Sequence, residues 1–137
     1  MLRRPILGID PGTRKCGFAV VVAPRVPPLA IGIEPTESLR ERITSLMDAH
    51  APSAIALGGG TNGDVIAALL ADTGLPIHIT DEVATTLRAR ARYFADFPPR
   101  GWRRFVPRGM LLPPRPVDDY AAVLIAERYL EDILEPT

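Results

Sequence analysis

Lysine is almost missing from this chain: Lys15 is the only one among 137 residues, so the basic charge is carried almost wholly by arginine. Cysteine is equally scarce. Cys16 alone excludes an internal disulfide and fits a reducing, cytoplasmic setting, where its expected role is that of a small core residue. No apolar run approaches the roughly 18 residues a membrane-spanning helix needs. The opening Met-Leu-Arg-Arg-Pro carries charge but is followed by no long apolar segment, so no secretory signal is read. Internal repeats and a dividing linker are absent too, and the length suits one domain over residues 1–137.

Net charge is zero, from 16 basic and 16 acidic residues, but the balance hides an asymmetry. Arg88, Arg90, Arg92, Arg100, Arg103, Arg104, Arg108 and Arg115 fall in one segment that contains a single acid, Asp96. A high-GC genome would favour arginine over lysine everywhere, but it would not cluster it. The guanidinium fork suits bidentate phosphate contacts, so the cluster points to a polyanionic partner.

The chain is organised around residues 6–13, Ile-Leu-Gly-Ile-Asp-Pro-Gly-Thr. Residues 6–9 have the character of a buried strand, and Pro11-Gly12 is a strong turn signal. Residues 16–22 then return as a second strand. Asp10 therefore stands at the top of a hairpin, where a carboxylate suits a metal ion or phosphate, or simply caps the turn. After a Pro-rich turn, residues 29–33 read as a third strand, completing a meander. Thr36 or Ser38 is the expected N-cap of a helix that runs to His50, with Leu39, Ile43, Leu46 and Met47 as its apolar stripe. Residues 54–57 form a buried fourth strand leading into Gly58-Gly59-Gly60-Thr61-Asn62. Residues 65–70 read as a helix, 77–80 as a fifth strand delivering Asp81-Glu82, and about 85–94 as a third helix. Residues 97–116, rich in Pro, Arg and Gly, read as a long loop and so as a functional candidate. Residues 117–134 form a last helix, with Ala121, Leu124, Ile125, Tyr129 and Ile133 on one face. The order β-β-β-α-β-α-β-α-loop-α predicts an α/β fold, a mixed sheet flanked by helices.

These residues resemble the YqgF (RuvX) family, relatives of the RuvC resolvase within the ribonuclease H-like fold. The likeness rests on Ile9-Asp10-Pro11-Gly12-Thr13-Arg14, Leu57-Gly58 followed by Asn62, Asp81 to Thr86, and Val117-Asp118-Asp119-Tyr120-Ala121-Ala122-Val123, in the family's order and over nearly the whole chain. It implies a five-stranded mixed sheet of strand order 3-2-1-4-5. It also implies a metal-dependent nuclease. Members are described as Holliday-junction resolvases, with 5′-end maturation of the small-subunit ribosomal RNA precursor as the better-supported role. Carried over by position, Asp10 is the strand-one metal ligand, Asp118 the acid facing it from the last helix, and Asp81-Glu82 the acidic pair after strand five. Thr85 and Thr86 match the family's Thr pair, and Asn62 its loop Asn. The chain departs in having Val83 where Arg is common, a Gly-rich loop at 58–62, a longer 97–116 segment, and no acid ending strand four, where Asp64 is the nearest substitute.

Phosphodiester hydrolysis needs a neutralised phosphate and an activated water, and two divalent ions about 3.5–4 Å apart can supply both. Mg²⁺ or Mn²⁺ is the expected cofactor. Asp10 would bridge the ions, with Asp118 and either Glu82 or Asp81 holding one each. Asp119 lies about 100° round the helix from Asp118 and is the less suited neighbour; both acids also fit a helix N-terminus on dipole grounds alone. Arg14, Lys15, Asn62, Thr85, Arg88, Arg92, Arg100, Arg103, Arg104 and Arg108 are the candidate nucleic-acid contacts. Trp102, Phe105 and Tyr93 are interleaved with the arginines, where they could stack on unpaired bases or anchor the long loop to the core. The partner is RNA or DNA, structured or single-stranded, with no membrane role, and the chain acts as a monomer or homodimer. Two rivals use the same residues differently. An actin-like or sugar-kinase ATPase also places an Asp-x-Gly-Thr hairpin at phosphates but needs two such domains. A catalytically silent RNA-binding assembly factor needs the arginines without the acids.

Overall fold

The structure, a computed structural model, describes residues 4–59, 62–80, 85–107 and 112–134. Strand β1 (Ile6–Asp10) lies at the centre of a five-stranded sheet. It pairs antiparallel with β2 (Lys15–Val21), which pairs antiparallel with β3 (Ala30–Pro35). On its other side β1 runs parallel to β4 (Ala54–Gly58), and β4 parallel to β5 (Ile77–Thr80). The strand order is 3-2-1-4-5, as the family resemblance implies. Pro35 can end β3 because an edge strand has no further neighbour to receive its missing N–H.

Side chains alternate across a strand, and here the alternation sorts the core into two layers. Leu7, Ile9, Cys16, Phe18, Val20, Ile55 and Leu57 face helices α1 (Leu39–His50) and α2 (Gly63–Leu70), meeting Leu39, Ile43, Leu46, Ile66 and Leu70. The opposite face offers smaller residues, with Ala19, Ala54 and Ala56 beside Ile6 and Val21. It receives α4 (Asp118–Leu134) through Ala122, Val123, Ile125, Ala126 and Leu130. Helix α3 (Thr85–Asp96) packs outside α4, where Ala89, Tyr93 and Phe94 meet Val117, Tyr120 and Ala121.

Two glycines set how closely α4 approaches. A Cβ on Gly8 would stand 2.2 Å from the Ala122 carbonyl oxygen, and one on Gly17 would stand 1.9 Å from that of Asp118. Gly17 is also the direct cross-strand partner of Asp10. The period-two rule puts Asp10 on the same face as Ile6 and Gly8, the face that carries α4. The first turn of α4 therefore rests beside the end of β1.

Neither Thr36 nor Ser38 caps α1 with its side chain. The Ser38 hydroxyl donates to Glu34 and to the Pro35 carbonyl, and a 3-10 turn over Thr36–Ser38 leads into the helix instead. Helix α4 is buried on more than the single face read from its sequence, because it is sandwiched between the sheet and α3. Ala122, Val123, Ala126 and Leu130 are buried alongside Ala121 and Ile125. The 97–116 segment is not wholly irregular: Gly101–Phe105 forms a 3-10 turn. Among the described residues no helix is long and apolar enough to cross a membrane.

Replacing Gly17 with alanine drives a methyl group into the backbone of α4, and overpacking of this kind costs about 3 kcal/mol. Urea denaturation of Gly17→Ala should show that loss against wild type. Gly74→Ala, where nothing lies within 4 Å of the added Cβ but φ is +81°, should lose less.

Candidate nucleic-acid cleavage site

Asp10 and Asp118, from opposite ends of the chain, line one shallow cleft of about 240 Å³ together with Pro11, Gly12, Thr13, Arg14 and Lys15. The turn that forms its floor is braced from three directions at Gly12. The Gly12 carbonyl accepts from the Asn62 side-chain amide (2.8 Å) and the Thr36 hydroxyl (3.2 Å), and the buried Cys16 thiol contacts both Gly12 N–H and carbonyl (3.4 and 3.7 Å). The Thr36 N–H also donates to the Arg14 carbonyl at 2.9 Å. Thr36 and Cys16 were not read as site residues from sequence, since only the folded hairpin brings them to Gly12. Asn62, carried over as a nucleic-acid contact, is placed with its amide on this turn.

Lys15 Nζ lies 3.4 Å from Asp118 Oδ2, so the chain's one lysine offsets the charge of the helix acid. Asp119, the next residue, turns inward and is buried. Its Oδ1 accepts from Arg115 Nη1 (3.1 Å) and from the Tyr120 N–H (2.9 Å). Arg115 also donates to the Pro116 carbonyl at 2.8 Å, and its guanidinium lies 5.4 Å from the Tyr93 ring and 5.6 Å from that of Tyr120. Its hydrogen bond to Asp119 pushes the Arg115 pKa upward. The two adjacent acids thus have separate surroundings: Asp119 fastens the start of α4 to Arg115, and Asp118 faces the cleft.

The arginine-rich segment divides in the same way. Arg92 makes a bidentate pair with the buried Glu127 (3.0 and 2.9 Å), which also accepts the Arg25 N–H at 2.8 Å. That pairing raises the Arg92 pKa and directs its guanidinium to α4. Arg103 donates to the Leu112 carbonyl at 2.6 Å, and Arg104 lies 4.9 Å from the Phe105 ring. Among the described residues no side chain or carbonyl pairs with the guanidinium of Arg14, Arg88, Arg90 or Arg100. Arg108 lies outside the described residues, as do Asp81 and Glu82, and the side chain of Thr85 at the start of α3 is likewise outside them.

The aromatic residues separate by burial. Tyr93 is a core residue packed edge-on to Phe94 and Tyr120, and so is not available to stack on a base. Trp102 and Phe105 are 75% and 77% exposed, so neither anchors the long loop. Val106 performs that task against the α3–α4 cluster. Asp64 stands exposed in the first turn of α2 and does not line the cleft.

Among the described residues no three His, Cys, Asp or Glu side chains form a metal-holding group. The two carboxylates that share the cleft are nonetheless hard oxygen donors, and Mg²⁺ is commonly held by one or two carboxylates while retaining water. The donor chemistry of Asp10 and Asp118 therefore fits such an ion.

The fold matches solved RuvC structures. Thermus thermophilus RuvC in complex with a Holliday junction substrate aligns with a TM-score of 0.61 and 18% identity, covering 96% of each chain. A second structure of Thermus thermophilus RuvC gives 0.58 and 15% identity, covering 96% of this chain and 97% of the other. At that identity the likeness is one of fold, the mixed five-stranded ribonuclease H-like sheet. No protein-family model matches the chain, and no curated protein matches it in sequence.

The packing at the start of α4 has a signature in alkali. Burial, and then a 2.8 Å hydrogen bond to Asp96, push the Tyr120 phenol from 10.0 up to about 12. A phenol whose pKa is raised on folding contributes stability that is complete below its unfolded value and is lost as pH rises through the folded one. Stability should therefore fall between pH 10 and 12 by more in wild type than in Tyr120→Phe. Ultraviolet titration should find a phenol ionising near 12 that is absent from Tyr120→Phe and moved down in Asp96→Asn.

Proposed function

We propose that the chain is a metal-dependent nuclease that hydrolyses phosphodiester bonds, with Asp10 and Asp118 as its central carboxylates. The observation that carries this reading is their meeting in one cleft beside Arg14 and Lys15. The two acids lie more than a hundred residues apart in the chain and reach the cleft from separate elements, β1 and α4. Their setting on β1 and α4 of a RuvC-like sheet adds support, as does the motif resemblance to the YqgF (RuvX) family.

Asp10 and Asp118 would hold Mg²⁺ or Mn²⁺, with Asp81 or Glu82 completing the set for two ions. A divalent ion held there would supply positive charge beside the phosphate and make a water more acidic. The protein's own part is positional. The braced Gly12 turn fixes Asp10, the Arg115–Asp119 pair fixes Asp118, and Arg14 and Lys15 bring positive charge to the mouth of the cleft, where a phosphate oxygen would be held. Arg88, Arg100, Arg104 and Trp102 extend a basic, partly aromatic surface for the rest of the nucleic acid.

Among nuclease roles, 5′-end maturation of the small-subunit ribosomal RNA precursor is the favoured one, in the cytoplasm, on the strength of the motifs. Holliday-junction resolution is the second reading, favoured by the fold match to a RuvC bound to such a junction. Resolution needs two active sites related by symmetry and hence a homodimer, whereas trimming RNA needs one.

Cleavage should be measured with a precursor ribosomal RNA 5′ fragment, single-stranded DNA and a four-way DNA junction, each with Mg²⁺ or Mn²⁺. Asp10→Ala and Asp118→Asn should each lower the rate about 100-fold or more, as expected for losing several kcal/mol of metal-supplied stabilisation, and a chelator should abolish it. Preference for the RNA supports maturation, and preference for the junction supports resolution. Binding without cleavage of any substrate would leave the assembly-factor reading in its place.

A further inference from the structure

Asp118 borders a second cleft. Beside the first lies a cavity of about 480 Å³, lined by Arg90, Arg115, Asp118, Leu112 and the prolines of residues 113–116. Its size falls among those of small-ligand sites, about 300–1,000 Å³. The two clefts share one carboxylate, Asp118, and so are neighbours at the start of α4.

The lining has a particular chemistry. Leu112 and the prolines give apolar walls, and proline offers no N–H to demand an acceptor. Of the two cations, Arg115 is committed to Asp119, the Pro116 carbonyl and two tyrosine rings. Arg90 has no hydrogen-bonding or ionic partner among the described residues. Helix geometry accounts for its placement. Successive residues turn about 100°, so Arg90 and Arg92 are about 200° apart and flank the buried Ala89–Tyr93 stripe on opposite sides. Arg92 thereby meets Glu127, and Arg90 meets the proline-walled cavity.

We propose that this cavity is a nucleotide subsite that takes the unpaired nucleotide next to the phosphate held by Arg14 and Lys15 in the Asp10–Asp118 cleft. Its base lies against the Leu112 and proline walls, and Arg90 binds its phosphate or stacks on its base. The assignment rests on the nuclease reading of the Asp10–Asp118 cleft, and it adds a substrate preference: the strand is single at the cut. A planar base matches apolar walls, and an arginine with no internal partner matches a backbone phosphate. A paired base would be held by its complement and could not enter the cavity.

The test is fluorescence anisotropy with short labelled oligouridylate, oligothymidylate and a blunt duplex, in an Asp10→Ala background that prevents cleavage. Arg90→Ala should weaken binding of the single strands about tenfold, with a smaller change for the duplex. It should also reduce the slope of log affinity against log salt by about 0.7, the loss of one phosphate contact on a single strand. Arg90→Lys should keep that salt slope and recover part of the affinity. Arg128→Ala, on an exposed part of α4, is the control expected to change nothing. Thermal unfolding confirms that each variant is folded. The ratio of the two oligonucleotide affinities tells RNA from DNA.

Unchanged single-strand affinity in Arg90→Ala overturns the subsite, even if cleavage by the otherwise wild-type protein depends on Asp10. An equal loss for duplex and single strand overturns its assignment to an unpaired nucleotide. Selective loss of single-strand binding in a protein that cleaves nothing upholds the subsite and overturns only the nuclease reading.

Discussion

The contact of α4 with Gly8 and Gly17 governs the architecture around the cleft. Without side chains at these two positions, the helix backbone comes into direct contact with β1 and β2. Alanines on both surfaces, Ala19, Ala54 and Ala56 against Ala122 and Ala126, continue the close approach along the helix. The functional result lies at the helix's first turn. Asp118 arrives where β1 ends, on the face to which the alternation of β1 already directs Asp10. Larger residues on that sheet face would still bury apolar surface, but they would lift the helix and separate the carboxylates.

Around this contact, electrostatic ties divide the charged residues by task. Glu127 gathers Arg92 and the Arg25 N–H, joining α3 and the turn after β2 to α4. Asp119 gathers Arg115, and Tyr120 is tied to Asp96. The buried Glu127 and Asp119 need their partners, since an unpaired buried charge costs several kcal/mol. The arginines so engaged hold the helices in place. Arg14, Arg88, Arg90 and Arg100, which lack partners among the described residues, are the ones on which a nucleic-acid surface can be built. A chain of zero net charge can therefore still present a basic face, because part of its arginine is consumed internally and the rest is displayed.

Much of the fold was legible in the sequence for local reasons. The apolar run before Asp10, the Pro11-Gly12 turn and the run after it specify a hairpin through neighbouring residues alone. Similarly, Leu39, Ile43 and Leu46 at helical spacing specify α1. The convergence of Asp10 and Asp118 was legible only through the motif resemblance, because nothing local to either acid refers to the other. The bracing of Gly12 by Thr36 and Asn62 depends on pairings 24 and 50 residues distant. Of the two readings open for Tyr93, stacking on a base or anchoring to the core, its arginine neighbours suggested exposure, yet it is buried. In the helix, however, the two residues beside a buried stripe are free to be charged while the stripe itself is apolar. The single face assigned to α4 failed for a related reason: alanine at Ala122 and Ala126 gives a weak hydrophobic signal, although small size is what that interface requires.

In the nuclease proposed above, Asp10 and Asp118 act together on one divalent ion. A double-mutant cycle in Mn²⁺ affinity, read by calorimetry on wild type, Asp10→Asn, Asp118→Asn and the double variant, tests it most directly. Each single change should weaken binding about tenfold or more, and the double variant should lose much less than the product of the two, since residues serving one site are not additive. Strictly multiplicative losses, or Mn²⁺ affinity indifferent to either carboxylate, would contradict a shared site and separate the geometry of the cleft from metal chemistry.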